Sequence, residues 1–204
     1  MELYQLPMFK KENIFRYIVF AIITVAAIAI IRYYVTPEPV DTESNKNVSI
    51  FIQNAIAEID LALKKDSSDE DMTTRLSWLK STAALYHDAK NNKNKDIKAQ
   101  SDVLKTSLIK VQTREFPRLR TAFTNSKKEI LAKENIQINN SGESNDTLTF
   151  TGQFFESSKA RKDFLKGINQ IVKDLRFKKV VFKWSEKSGD FEEFRVKGKG
   201  DGEV

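Results

Sequence analysis

The chain of 204 residues contains no cysteine and a single histidine, His87. The missing thiols exclude disulfides, thiolate nucleophiles, cysteine zinc sites and lipidation at cysteine. A metal site or catalytic arrangement that requires two imidazoles is excluded as well. The sequence also shows no nucleophile–base pair and no phosphate-binding loop. We therefore predict a protein without enzyme activity, metal or cofactor, and with no evident small-molecule substrate.

The composition indicates a folded chain with a mixed surface. Hydrophobic residues make up 40% and charged residues 30% of the sequence, which is typical of globular proteins. The formal net charge is +6, but both signs are interspersed along the chain. A nucleic-acid-binding protein concentrates its basic residues on one face or in one stretch. The charge pattern therefore predicts no nucleic-acid partner.

The longest apolar run lies near the N-terminus. Residues 17–31 read YIVFAIITVAAIAII, in which Thr24 is the only clearly polar residue. A helix over residues 14–35 would be about 33 Å long, enough to cross about 30 Å of hydrocarbon. We predict a single transmembrane helix there; the alternative is a cleaved signal peptide, which the bulky residues after the run disfavour. The predicted anchor residues are Phe15, Tyr17, Ile22, Ile23, Ile30, Tyr33 and Tyr34.

The flanking charges predict the orientation of this helix. Lys10, Lys11 and Arg16 lie before or at its start, whereas no cation lies between Arg32 and Lys46. The positive-inside rule then places the N-terminus in the cytoplasm and the remainder outside it. We accordingly expect a single-pass protein of the inner (plasma) membrane, in contact with membrane lipid, with an extracytoplasmic (periplasmic) domain.

Beyond the predicted membrane helix the pattern becomes helical. Apolar residues recur at steps of three and four from Val48, from Met72 and from about Asp96, which predicts three short helices. Such short helices must pack on one another or on a partner. The predicted segments are a cytoplasmic tail at 1–13, a linker at 36–46, a helical bundle or stalk at 47–112, an α+β domain at 113–197 and a flexible tail at 198–204.

The order helix–strand–strand then occurs twice after Pro117. Two such units predict an α+β fold, namely a ferredoxin-like two-layer sandwich with an antiparallel sheet and both helices on one face. The alternative is an α+β domain with a different strand order. The predicted strands lie at 136–138, 147–155, 178–184 and 191–196, and the second helix begins after a cap at Ser157 or Ser158.

This layout resembles the assembly-platform proteins of type IV pili and type II secretion systems. Those proteins have a short cytoplasmic tail, one membrane span, a helical stalk and a domain of two helix–strand–strand units. The resemblance implies a scaffold that dimerises through its stalk and sheet domain and contacts other membrane or envelope proteins. It lies in the order of elements and transfers no functional residue.

Two groups of residues are candidates for binding a partner protein. The apolar residues Phe155, Phe177, Val181 and Phe191 are left over when the predicted core positions of the sheet are assigned, and could form an exposed strip. The basic residues Lys110, Arg114, Arg118 and Arg120 gather where the bundle meets the sheet domain, and the alternative for them is a solvated helical face. His87, beside Asp88, is a candidate pH-sensing residue or a surface histidine near a helix end.

These observations predict a membrane-anchored scaffold or interaction subunit of an envelope-spanning complex. Its helical segments and one sheet face would bind partner proteins, and a homodimer is one such assembly. The alternative is a membrane-tethered sensor, or an immunity-type or inhibitor-type binding protein.

Overall fold

The structure, a computed structural model, describes residues 42–65, 71–185 and 189–204. This part of the chain is mostly helical and contains one sheet of mixed strand directions. The helices are α1 (Thr42–Lys64), α2 (Met72–Ala89), α3 (Lys95–Ala132) and α4 (Ser158–Asp174), and the strands are β1 (Gln137–Ser141), β2 (Thr147–Thr151), β3 (Lys179–Lys183) and β4 (Phe191–Arg195).

The prediction of a single-pass membrane protein requires correction. Across residues 42–65, 71–185 and 189–204, no helix has both the length and the apolar character that a membrane crossing demands. The segment 14–35 and its anchor residues, and the tail at 1–13, lie outside the described residues.

Helices α1 and α2 follow the predicted spacing. In α1 the residues Ile52 and Ile59 have no solvent exposure. The α2 helix begins where the carboxylate of Asp71 accepts a hydrogen bond from the backbone N–H of Thr74 at 3.1 Å. Such a cap satisfies one of the free N–H groups of the first helical turn. The apolar spacing of both helices is therefore as predicted, and α2 begins after a cap at Asp71.

Helix α3 is continuous through Pro117, so the expectation of one helix from about Asp96 and a separate helix after this proline is wrong. The buried positions Leu108 and Val111 before the proline continue into Leu119 and Phe123 after it, at helical spacing. Packing of this stripe outweighs the hydrogen bond that proline cannot donate. The predicted bundle and sheet domains consequently share one helix and one hydrophobic core.

The sheet is not ferredoxin-like, so that part of the predicted fold is wrong. Its strand order is β1-β2-β3-β4, in which β1–β2 and β3–β4 are antiparallel and β2–β3 is parallel. A ferredoxin-like sheet places another strand between those that a helix connects. Here α4 connects two adjacent strands, which is the usual crossover for a parallel pair.

Both sheet helices lie on the same face of the sheet. Phe150 on β2 contacts Phe164 of α4, with ring centroids 4.9 Å apart. Asn140 on β1 shares that face by register, and its amide donates a hydrogen bond to Thr121 Oγ1 of α3 at 3.2 Å. The other face carries Thr149 and other polar side chains, together with Val181 of β3 and Phe191 of β4.

Residues 197–204, where a flexible tail was expected from position 198, lie along α3. The Arg176 guanidinium donates from Nη1 to the carbonyl oxygens of Gly200 and Glu203, both at 2.7 Å. The carboxylate of Asp201 accepts a hydrogen bond from Arg120 Nη2. Two arginines thus hold the tail against the helix, because its backbone carbonyls and one carboxylate supply the acceptors.

Candidate functional site

Three of the four apolar residues predicted to form an exposed strip are buried. Phe155, Phe177 and Val181 have solvent exposures of 0%, 2% and 8%, and only Phe191, at 51%, is exposed. Phe155 lies in a 3₁₀ turn after β2 and points into the core, where its ring lies 4.7 Å from that of Phe182. The alternation of a strand does not continue to position 155, and Phe155 is therefore buried. Because three of the four residues are buried, the predicted exposed strip does not exist.

The predicted basic group at the junction has mostly structural contacts. Arg114 donates from Nη1 to the carbonyl of Leu63 at 2.7 Å and so caps the end of α1. Arg120 is wholly buried and binds the carbonyl of Leu175 through Nε at 2.9 Å. Lys110 is exposed, and Arg118 is about half exposed with a guanidinium nitrogen 3.9 Å from Glu115. Burial removes Arg120 from any basic surface, whereas Lys110, Arg114 and Arg118 recur every four residues on one face of α3.

A cleft of about 430 Å³ lies between α2, α3, the end of α4 and the C-terminal segment. Its volume is within the range of about 300–1,000 Å³ that is usual for ligand sites. The cleft is lined by Leu79, Lys80, Ala83, Ala84, His87, Gln112, Phe116, Lys173, Asp174, Arg176, Lys197, Gly198 and Lys199.

One face of α2 forms a wall of this cleft. Lys80, Ala83, Ala84 and His87 recur at helical spacing, so they share this face. At one end Lys80 Nζ lies 2.7 Å from Asp174 Oδ2, which joins α2 to the end of α4. The two alanines between Lys80 and His87 leave an open gap.

The other end of the gap is bounded by the C-terminal segment. Lys199 Nζ lies 3.3 Å from His87 Nε2. Lys197 and Gly198 complete this wall. The wall therefore depends on the contacts that hold residues 200–203 on Arg120 and Arg176.

The charge of the cleft is strongly one-sided. Its lining contains the cations Lys80, Lys173, Arg176, Lys197 and Lys199 against the single carboxylate of Asp174. Helix α4 ends just before Arg176, whose left-handed backbone (φ 56°) turns the chain towards β3. The Arg176 guanidinium then lies 4.2 Å from the ring centroid of Phe116, and burial lowers the pKa of Arg176 from its ordinary value.

A buried amide adds an unused donor to the lining. Gln112 is 1% exposed, and its Oε1 accepts a hydrogen bond from Arg176 Nη1 at 3.3 Å. Its Nε2 has no hydrogen-bond acceptor among the described residues. Buried polar groups are normally paired. The cleft lining thus combines excess positive charge with an unsatisfied N–H donor.

The surroundings of His87 lower its pKa and so favour the neutral imidazole. Burial lowers its pKa, as do the positive charges of Lys199 and Lys90, while Asp88 opposes them. The cations disfavour a further positive charge nearby. The predicted association of His87 with Asp88 is therefore a minor influence, and the neighbour that the sequence did not reveal is Lys199.

Sequence reasoning missed the cleft because its residues are far apart along the chain. The helical spacing of Lys80, Ala83 and His87 is visible in the sequence, but nothing there shows that Lys199 lies opposite. The signal that could have drawn attention to the segment is the run KGKG at 197–200. It was interpreted as the start of a flexible tail instead.

Comparison of the chain with protein-family models, with curated proteins and with solved structures found no match. The resemblance to assembly-platform proteins is therefore untested by these comparisons. The double antiparallel unit that contributed to it is replaced by the mixed sheet described above.

Proposed function

We propose that the described domain is a protein-binding module, without catalytic activity, that receives an acidic segment of a partner protein in the basic cleft. The observation that carries this proposal is the excess of cationic side chains around a cleft of about 430 Å³. Opposite charges across an interface accelerate encounter and select the partner. The proposal keeps the expected role of binding another protein and places it in the cleft.

The lining favours a peptide over a nucleic acid as the ligand. Proteins that bind single strands stack bases on accessible aromatic rings. Phe116 is the one aromatic ring of the lining apart from His87, and it is 3% exposed with Arg176 over its face. The accessible apolar surface of the lining comes from Ala83 and Ala84, which suits aliphatic or aromatic side chains of a protein.

The surroundings of His87 favour binding over chemistry. A histidine that acts as a general base is usually oriented by a carboxylate or carbonyl acceptor. The ring nitrogen Nε2 of His87 instead lies 3.3 Å from the ammonium of Lys199. This arrangement suits a surface that attracts negative charge.

The test uses the full chain and fluorescence anisotropy with a labelled decaglutamate peptide. A labelled ten-nucleotide oligothymidylate serves as the competing ligand class. We expect the peptide to bind, and to bind more weakly as sodium chloride rises from 50 to 300 mM, because salt screens exposed charges. The double charge reversal Lys173→Glu and Lys197→Glu should weaken peptide binding by about tenfold or more, equivalent to about 1.4 kcal/mol.

The matched control reverses two exposed lysines outside the cleft, Lys127→Glu and Lys128→Glu on α3. It changes the net charge by the same amount, so it reports the general effect of charge. Equal weakening by the two double variants would reject the cleft as the binding site. Tighter binding of the oligothymidylate than of the peptide would reject the proposed ligand class.

A further inference from the structure

The gap on α2 between the two polar bridges has a defined length. Lys80 bridges to Asp174 and His87 contacts Lys199, and the two residues are seven positions apart on the helix. A rise of 1.5 Å per residue makes this separation about 10 Å. An extended peptide advances about 3.3 Å per residue, so the gap matches about three residues.

The middle of the gap is apolar and open. Ala83 and Ala84 occupy the helix face between the bridges, and their short side chains leave the depth of the cleft unfilled. Below them the lining includes Leu79 and Phe116, which are 1% and 3% exposed. A side chain that enters here therefore meets the methyl groups of Ala83 and Ala84, above this buried layer, instead of charges.

The ends of the gap are cationic. Lys173 directly precedes Asp174, the partner of Lys80, so this end has two ammonium groups against one carboxylate and an excess of one positive charge. Lys197 and Lys199 belong to the other end, beside His87. The order along the cleft is thus positive, apolar, positive.

We infer from this order that the cleft selects a segment in which one large apolar side chain stands between acidic residues. The inference rests on the proposed function and adds a sequence preference to it. The apolar side chain would lie over Ala83 and Ala84, and the carboxylates would lie at the lysines of the two ends. Ala84 is then a specificity-determining residue, because a larger side chain there fills the gap.

The experiment compares two labelled peptides on the native full chain. Each has two pairs of glutamates around one central residue, which is phenylalanine in the first and serine in the second. We expect the phenylalanine peptide to bind at least about tenfold more tightly, because burial of an aromatic ring contributes affinity that serine cannot supply. This comparison does not depend on the folding of any variant.

The variant Ala84→Trp tests the position of the apolar side chain. Ala84 is exposed, so the tryptophan should leave the core intact while it blocks the gap. We expect the preference for phenylalanine over serine to disappear. Ala57→Trp, at an exposed alanine of α1, is the matched control and should preserve the preference.

The possible results separate the inference from the proposed function. Equal affinity of both peptides for the native chain, or a preference unchanged in Ala84→Trp, would overturn the selection of an apolar residue while leaving acidic binding in place. No binding of either peptide, or of decaglutamate, would overturn the proposed function and the inference with it.

Discussion

Arg120 on α3 and Asp201 near the C-terminus form an ion pair across 81 residues of sequence. Arg120 has no solvent exposure, and its guanidinium also donates to the carbonyls of Leu175 at 2.9 Å and Ser144 at 2.5 Å. A buried charge is tolerated only when it is paired and hydrogen-bonded. The pair therefore fixes the C-terminal segment whose residues 197–199 form one wall of the cleft.

Asp201→Asn should reduce the free energy of unfolding by about 1.5–3 kcal/mol, because it leaves the buried Arg120 guanidinium without its counter-charge. Urea denaturation of the full chain measures this change. The same variant should bind the decaglutamate peptide less tightly, since the wall formed by residues 197–199 loses its support. Glu129→Gln is the control: its side chain is exposed on α3, and a change within about 0.5 kcal/mol is expected. Equal effects of the two variants would contradict a special role for Asp201.

The affinity for an acidic peptide should depend on pH through His87. Its pKa in the free protein is lowered by burial, Lys199 and Lys90. A carboxylate bound beside it favours the charged imidazolium and raises this pKa, so the protonated form binds more tightly. Affinity should therefore increase as pH falls from 7.5 to 5.5, by up to about tenfold for each unit of difference between the free and bound pKa values. Anisotropy titrations at several pH values measure this.

His87→Gln should remove most of that pH dependence, and an unchanged profile would contradict the role of His87. In the chain without peptide, His87 affects the free energy of unfolding instead, and this quantity decreases as pH falls. The folded state, with its lowered pKa, binds fewer protons than the unfolded state, so stability falls as pH decreases through about 6.5 towards the folded value. Urea denaturation at pH 7.5 and 5.5 should show a smaller loss in His87→Gln than in the native chain.

Alanine substitutions at two glycines should change the free energy of unfolding in opposite directions. Gly142, in the turn between β1 and β2, has φ +94°, and a Cβ there would lie 2.5 Å from Asp146 Oδ1. Gly142→Ala should therefore destabilise the chain by about 1–3 kcal/mol. Gly167 lies in α4 with no atom within 4 Å of a built Cβ, so Gly167→Ala should stabilise it by about 0.4–1 kcal/mol. Thermal or urea unfolding measures both changes. If both variants were more stable, or both less stable, than the native chain, the conformation described for one of the two glycines would be wrong.

Pro117→Ala should stabilise the chain. Proline inside a helix lacks the N–H that would bond to the carbonyl of Thr113, and it costs about 3 kcal/mol relative to alanine. Part of this is offset because proline also restricts the unfolded chain by about 0.4–1 kcal/mol. We expect a net increase of about 1–3 kcal/mol in the free energy of unfolding by urea denaturation. A decrease would mean that the packing of Phe116 and Leu119 requires the helix geometry that proline imposes.

Local structure was predictable wherever neighbouring residues decide it. The sequence indicated the apolar spacing in α1 and α2 and a cap at Ser157 or Ser158, and the structure has the Ser157 hydroxyl accept a hydrogen bond from Ala160 N. The continuity of α3 through Pro117 was missed because the local cost of proline was weighed without the buried stripe on both sides of it. The sheet was mispredicted for a similar reason. Alternation along a strand reveals its two faces, but it does not reveal which strand lies next to it.

In the candidate site, too, some residues are placed by local structure and others by contacts that are distant along the chain. Lys80, Ala83 and His87 are placed on one helix face by the periodicity of α2, and the sequence alone determined that. Only the tertiary structure decided that Lys199 and Arg176 lie opposite, because that placement depends on the ion pair of Arg120 with Asp201 and on the hydrogen bonds of Arg176 to the C-terminal segment. Helix periodicity follows from backbone geometry over a few residues, whereas these contacts join residues that are distant along the chain and form only once the core has packed.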